Sequence, residues 1–119
     1  SRERNLVKST SAPDAGDLVW LTFDPQAGHE QAGRRPALIM TPRSYNSKSG
    51  LALVCPITSQ VKGHPFEVPL STTESVTGVV LVDQMKSVDW KARKASTAGR
   101  CRDSVMEEVR AQLAALLRI

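Results

Sequence analysis

Residues 17–42 read DLVWLTFDPQAGHEQAGRRPALIMTP, two apolar runs joined by a loop that contains proline and glycine. Both runs are rich in the β-branched, aromatic and other apolar residues that favour strands. The same pattern continues to residue 98, because short apolar runs alternate with turn-forming clusters such as SKSG and KGHP. We therefore predict short strands at residues 17–24, 36–42, 51–57, 65–70, 78–83 and 92–98.

The spacing of these runs indicates the fold class. It is typical of a compact antiparallel barrel and not of βαβ units, which need long crossover helices. Residues 51–55 (LALVC) and 78–82 (GVVLV) are apolar without alternation. Such strands are expected to be covered on both faces, by the barrel interior and by a further element packed outside.

A helix is predicted at the end of the chain. Ser104 followed by Glu107 has the spacing of a capping box at a helix start. Apolar residues then recur at helical spacing, which predicts one apolar face docked on the barrel. We expect this face, up to the ending LLRI, to be core and not a partner site; it consists of Val105, Val109, Leu113, Leu116 and Leu117.

Length and composition set the domain organisation. The 119 residues fit one domain, with residues 1–15 as a flexible polar N-terminal arm and residues 16–119 as the domain. No apolar run approaches the ~20 residues that span a bilayer, and the first residues lack the apolar stretch of a signal peptide. Cys55 and Cys101 are far apart, which argues against a zinc site and a disulfide-built fold. We expect a cytoplasmic protein whose thiols only pack.

Positive charge is clustered although the net charge is only +4. Residues 34–48 contain Arg and Lys without an acid, and residues 84–102 contain six basic residues against Asp89 alone. Clustered basic charge suits a polyanion, since phosphate contacts supply much of nucleic-acid affinity. A solvated basic surface is the alternative, and the charge by itself slightly favours it.

The loop within the opening stretch resembles a known signature. FDPQAGHEQAGRRPALI (residues 23–39) is similar to the strand–loop–strand motif of the MazF/PemK (Kid) toxins. CPITSQ (55–60), KGHPFEV (62–68) and VDQMKSVDW (82–90) agree with that family in the same order. With Ala92 and Arg93, the resemblance covers residues 14–118. Four ordered motifs in so short a chain make it specific.

The resemblance implies a fold and partners. The fold is a mainly β, SH3-like barrel of the CcdB/PemK toxin type with a C-terminal helix packed on it. The family forms homodimers with a groove at the dimer interface, and the acidic tail of a cognate MazE-like antitoxin occupies that groove. The resemblance implies no cofactor and no membrane association.

The resemblance also implies an activity, a sequence-specific and metal-independent endoribonuclease that cleaves single-stranded mRNA and inhibits translation. The ends are a 2′,3′-cyclic phosphate and a 5′-hydroxyl, because the RNA's own 2′-hydroxyl is the nucleophile. Such a reaction needs a base, an acid and cations that stabilise charge on the phosphoryl oxygens. No cluster of Asp, Glu and His in the sequence suggests a two-metal nuclease site.

Five catalytic candidates follow from the family match. Arg35 is expected to hold two phosphate oxygens, since a guanidinium is bidentate and keeps its charge. Thr58 is expected to donate to a phosphate oxygen. His29, Glu30 and Asp83 are alternatives for the base, although Leu81 stands where the Kid branch has the Arg that pairs with this Asp.

RNA-binding candidates complete the predicted site. Single-stranded bases are read by stacking and by hydrogen bonds to their exposed edges. The candidates are Phe23, Gln31, Lys62, Gln84 and Lys86.

Two other functions remain open on the sequence. A CcdB-type gyrase poison has the same barrel without catalysis, and depends on residues at its helical C-terminus. A non-catalytic RNA-binding barrel needs the basic residues but no cleavage geometry.

Overall fold

The computed structural model describes residues 11–23, 33–70 and 75–119. Seven strands and two α-helices lie within these ranges, with a short 3-10 helix at Val82–Gln84. In chain order they are β1 (Asp17–Phe23), β2 (Gly33–Ile39), α1 (Arg43–Ser49), β3 (Leu51–Thr58), β4 (Glu67–Pro69), β5 (Val79–Leu81), β6 (Lys86–Asp89), β7 (Ser96–Arg100) and α2 (Asp103–Leu117).

The strands form one antiparallel sheet in the order β4-β5-β3-β2-β1-β7, and β6 also pairs with β3. The first half of β3 pairs with β6, from Leu51↔Asp89 to Val54↔Lys86, and its end pairs with β5 through Ile57↔Val80. Within the described residues no ladder joins β7 to β4. The predicted mainly β fold with a C-terminal helix is confirmed.

Apolar clusters cover both faces of the sheet, as the unalternating strands predicted. Neighbouring residues point to opposite faces: Leu18 and Leu38 enter the cluster beneath α2, while Val19 and Ile39 enter the other. The first cluster also contains Cys55, Ile57, Val80, Val82, Val105, Met106 and Val109; the second also contains Leu21, Ala37, Val54, Val88 and Trp90.

Helix α1 was not predicted from the sequence, in which only residues 47–50 were read as turn-forming, and it is held by tertiary hydrogen bonds. The fully buried Asn46 amide donates to the carbonyls of Pro13 and Thr41, both at 2.8 Å, and accepts from the Thr41 hydroxyl at 2.7 Å. The Trp90 indole donates to the Asn46 carbonyl at 2.9 Å. The helix ends at Gly50, whose φ of +76° suits glycine.

The packed domain begins earlier than residue 16. Ala12 and Pro13, in the predicted N-terminal arm, are buried. The Asp14 carboxylate accepts a hydrogen bond of 2.9 Å from the backbone N–H of Arg43, and this bond holds the pKa of Asp14 below its usual value. Residues 12–15 therefore belong to the domain.

Helix α2 forms as predicted, but both its ends differ from expectation. Its N-cap is Arg102 and no side chain caps it, so the predicted capping box at Ser104 and Glu107 is wrong. Val105 and Val109 are buried, whereas Leu116 and Leu117 are 40% and 53% exposed. The last turn therefore does not pack on the described residues, and its assignment to the core is wrong.

The two cysteines behave as packing residues. Both are buried and neither forms a disulfide. Burial raises the pKa of the Cys55 thiol to about 12. A thiol of that kind is not a nucleophile at neutral pH.

Candidate active site

A groove of about 360 Å³ opens between the ends of β1, β2 and β3 and the segment that follows β3. Three of its lining side chains are cations at neutral pH, Arg35, Lys62 and Lys86, and one is a carboxylate, Glu67. This balance suits an anionic ligand. The other lining residues are Phe23, Pro56, Ile57, Thr58, Gln60, His64, Leu81 and Gln84.

Arg35 and Thr58 lie on neighbouring strands, just beyond the end of the ladder that joins β2 to β3. β2 and β3 pair from Ile39↔Val54 to Ala37↔Pro56. The ladder stops there, beside Pro36 and Pro56, which have no N–H to donate. The same register continued by two residues sets Arg35 opposite Thr58, and both side chains line the groove.

A second cavity of about 510 Å³ also borders this pair of residues. It shares Arg35, Ile57, Thr58 and Gln60 with the groove and continues past the half-exposed Trp20. Arg35 and Thr58 thus lie where two cavities meet, with space on either side.

The backbone around Thr58 is fixed at short range. Its hydroxyl oxygen accepts a hydrogen bond of 3.1 Å from the Gln60 N–H, which uses a lone pair and not the hydroxyl hydrogen. Gly78 packs against the Thr58 carbonyl so closely that a Cβ at Gly78 would overlap the carbonyl oxygen. The hydroxyl is therefore held in place as a donor at the groove.

Arg34 holds the end of β2 on which Arg35 lies. Its guanidinium donates to the Thr22 hydroxyl at 2.6 Å and to the Ser96 hydroxyl at 2.7 Å. It also contacts the carbonyl oxygens of Trp20 at 3.0 Å and Lys94 at 2.7 Å. Arg34 thereby joins β1 and β2 to the segment that enters β7.

Two cations surround the ring of Phe23. The Lys86 Nζ lies 4.7 Å from the ring centroid and the Arg93 Cζ lies 5.1 Å from it. Both distances allow cation–π attraction. The ring therefore lies beside two cations, of which Lys86 lines the groove.

Neither a metal cluster nor a membrane-spanning helix is found in the described parts of the chain. In residues 11–23, 33–70 and 75–119, no three His, Cys, Asp or Glu side chains gather to hold a metal ion. No helix in the same ranges is long and apolar enough to cross a membrane.

Comparison with known proteins identifies the family. The model of a family described as PemK-like, MazF-like toxin of type II toxin-antitoxin system matches residues 14–117. The chain belongs to this toxin family. The Escherichia coli K12 endoribonuclease toxin MazF is 46% identical over 109 residues, which are 92% of this chain and 97% of that protein.

Further relatives of this toxin agree. The Escherichia coli endoribonuclease PemK is 37% identical over 118 residues, covering 96% of this chain and 89% of the relative. A MazE–MazF crystal structure from Deinococcus radiodurans matches with a TM-score of 0.85 and 52% identity, over 91% of this chain and 97% of that one. The fold of the toxin is thus that of the MazF proteins.

The groove gathers six of the ten residues predicted from the sequence. They are Phe23, Arg35, Thr58, Lys62, Gln84 and Lys86. Asp83 lies beside Gln84 on the 3-10 helix, is exposed and does not line the groove. His29, Glu30 and Gln31 lie outside the described residues.

Sequence reasoning missed three polar residues of the groove, Gln60, His64 and Glu67. All three fall within or beside the two quoted stretches CPITSQ and KGHPFEV. The signal that could have found them is their position around Lys62, since neighbours on one short loop tend to face the same site. The prediction for this loop rested on the charge of Lys62 alone.

Proposed function

We propose that this toxin is an endoribonuclease that cleaves single-stranded mRNA in the cytoplasm, without a metal ion and with sequence preference. Membership of the family and the endoribonuclease names of two relatives support the reaction class. The observation that carries the assignment is that Arg35 and Thr58 line the same groove, in which basic side chains outnumber acidic ones.

The chemistry proceeds by transfer within the RNA. The 2′-oxygen forms a bond to phosphorus, the bond from phosphorus to the 5′-oxygen breaks, and the ends are a 2′,3′-cyclic phosphate and a 5′-hydroxyl. A base takes the proton of the 2′-hydroxyl, and the departing 5′-oxygen gains a proton. Arg35 stabilises the charge on the phosphoryl oxygens and Thr58 donates a hydrogen bond to one of them.

The remaining groove residues hold the RNA chain. Lys62 and Lys86 neutralise neighbouring phosphates, and Gln60 and Gln84 offer amides to base edges. The second cavity leaves room for nucleotides beyond the scissile phosphate. With its ring beside Lys86 and Arg93, Phe23 orients cations and is not primarily a stacking platform.

The general base is Glu30 or His29, neighbours in the segment between β1 and β2. Asp83 is the weaker candidate because it does not line the groove. The pH dependence of kcat distinguishes the two, since an ordinary carboxylate is ionised above about pH 5 and an ordinary imidazole is neutral only above about pH 7. His29→Ala and Glu30→Gln identify which group sets the acidic limb.

The cellular context follows from the family. The toxin acts as a homodimer and is neutralised by a cognate MazE-like antitoxin, whose acidic segment occupies the cationic groove. Solved MazE–MazF complexes of Deinococcus radiodurans are the precedent for such a partner. Cleavage of mRNA stops translation and growth until the antitoxin returns.

One assay tests the assignment. The purified protein is incubated in EDTA with an RNA transcript and with DNA of the same sequence. We expect cleavage of the RNA alone, abolished by Arg35→Ala and retained by Arg110→Ala, an exposed residue of α2. Intact RNA across varied sequences at high protein concentration would overturn the proposal and favour a gyrase poison or a plain RNA-binding barrel.

A further inference from the structure

The segment between β3 and β4, residues 59–66, forms one wall of the groove and is here named the β3–β4 loop. Gln60, Lys62 and His64 on it line the groove, although residues 59–65 are all exposed to solvent. Ordering such a segment costs conformational entropy at every residue. Specific contacts must therefore hold it in place.

Glu67, the first residue of β4, supplies most of these contacts. Its Oε1 accepts hydrogen bonds from the backbone N–H groups of Gly63 at 2.9 Å and Lys62 at 3.2 Å, and its Oε2 lies 3.3 Å from the Lys62 nitrogen. The Glu67 N–H donates in turn to the His64 carbonyl at 3.2 Å. The carboxylate thus closes the loop into a compact turn around itself.

These hydrogen bonds stabilise both the Glu67 carboxylate and the backbone of the β3–β4 loop. Two successive backbone N–H groups that converge on one anion form a nest, and hydrogen bonds to a charged acceptor are stronger than neutral ones. Gly63 has a φ of +77°, which glycine adopts without strain. The turn is therefore formed before any ligand binds.

Both ends of the loop are anchored to the sheet. At its start the Thr58 hydroxyl accepts from Gln60, and at its end the Phe66 carbonyl accepts from Val82 at 3.0 Å. Glu67 itself pairs with Leu81 of β5. Because Glu67 is fixed on the sheet by β4, its carboxylate also fixes the backbone of Lys62 and Gly63 relative to the sheet.

A carboxylate in a groove for RNA needs an explanation, because it repels phosphate. The negative charge of Glu67 is directed to the two backbone N–H groups of the loop. We propose that Glu67 is a positioning residue that holds the β3–β4 loop as a preformed wall, from which Lys62 and His64 contact the RNA. This role presupposes the proposed RNA cleavage, and it governs substrate affinity and sequence preference while Arg35 and Thr58 perform the chemistry.

The inference is tested with Glu67→Ala, Glu67→Gln and the control Glu107→Ala, an exposed acid of α2. The substrate is a synthetic RNA that contains the cleavage site mapped on cellular transcripts. For Glu67→Ala we expect KM to rise about tenfold with kcat within about twofold, since uniform binding is lost but transition-state contacts remain. Glu67→Gln, which keeps an acceptor, restores most of the affinity, and Glu107→Ala leaves both constants unchanged.

Two further readouts separate positioning from mere stability. The backbone amide resonances of Lys62 and Gly63 are expected to move in Glu67→Ala and not in Glu107→Ala. The sequences at the cut sites, read from the 5′ ends of the products, are expected to become more varied. If Glu67→Ala does not fold, Gly63→Ala disturbs the same turn through its φ, since beyond the two neighbouring residues no described atom lies within 4 Å of the added Cβ.

The outcomes distinguish this inference from the proposed function. If the wild-type protein cleaves RNA and Glu67→Ala keeps its KM and its cut sites, the positioning role is overturned and the function stands. A fall in kcat without a change in KM also overturns it. If the wild-type protein does not cleave RNA, the function fails, and unchanged Lys62 and Gly63 amides in Glu67→Ala would still refute the contact.

Discussion

Arg34 donates a hydrogen bond of 2.6 Å to the hydroxyl of Thr22, its register partner on β1. The same guanidinium reaches the Ser96 hydroxyl and the Lys94 carbonyl, each at 2.7 Å, and so joins three segments of the sheet. Arg35 follows it on β2 and lines the groove. Arg34 joins strands and borders the second cavity, whereas Arg35 lines both cavities, so we expect the two adjacent arginines to have separable roles.

Arg34→Ala is expected to lower the free energy of unfolding and to leave most of the RNA cleavage activity. Loss of several hydrogen bonds at the surface lowers the free energy of unfolding by about 1–3 kcal/mol. Urea unfolding measures this change, and Arg110→Ala is the control. If Arg34→Ala unfolds like the wild type yet loses cleavage as completely as Arg35→Ala, the separation of roles is wrong.

Thr58→Val is expected to lower kcat, because it removes a donor to the phosphoryl oxygens and keeps the branched shape. One such donor is worth roughly 10²–10³ in kcat. Single-turnover cleavage at saturating protein measures it, and Thr58→Ser should recover most of the rate. Thr97→Val is a matched control, since the Thr97 hydroxyl also accepts from the N–H two residues later, at 3.3 Å. Equal rates for Thr58→Val and the wild type would remove Thr58 from the mechanism.

Asp14 makes the free energy of unfolding of the domain depend on pH in the acid range. Its pKa is lowered below 3.8 first of all by the hydrogen bond from the Arg43 N–H, so the folded state favours the ionised form. This contribution to stability is present above the unfolded pKa and is lost as the pH falls through the folded pKa. Asp14→Asn should therefore be less stable than the wild type at about pH 6, and the difference should shrink towards about pH 3.

Unfolding of both proteins at several pH values, by urea and circular dichroism, checks this expectation. A difference in unfolding free energy that stays constant over the whole range would mean that the charge of Asp14 does not matter. The hydrogen bond would then act only through its geometry.

The sequence predicted most of the sheet because local pattern and burial agree there. It missed α1 and β6 because tertiary contacts create them. RSYNSKS is polar and is held as a helix by the buried Asn46 and by Asp14 from outside the segment. In β6 only Val88 is buried, and pairing with β3 makes the strand.

The sequence predicted those residues of the candidate site whose side chains match the motifs of the family. Arg35, Thr58 and Lys62 were predicted because they stand in motifs that resemble those of the toxin family. Glu67 was not predicted from the sequence. Its carboxylate accepts hydrogen bonds from backbone N–H groups, and its residue type does not show where those groups lie. Phe23 was predicted to bind RNA, and the structure adds that Lys86 and Arg93 lie beside its ring.

In the proposed reaction the RNA supplies its own nucleophile. The most direct measurement uses a synthetic RNA with a single 2′-deoxy substitution on the 5′ side of the mapped cut site, incubated in EDTA beside the unmodified RNA. We expect the unmodified RNA to yield a 2′,3′-cyclic phosphate and a 5′-hydroxyl, and the substituted RNA to stay intact at that site. Cleavage of the substituted RNA there, or cleavage that requires added Mg²⁺, would contradict the account.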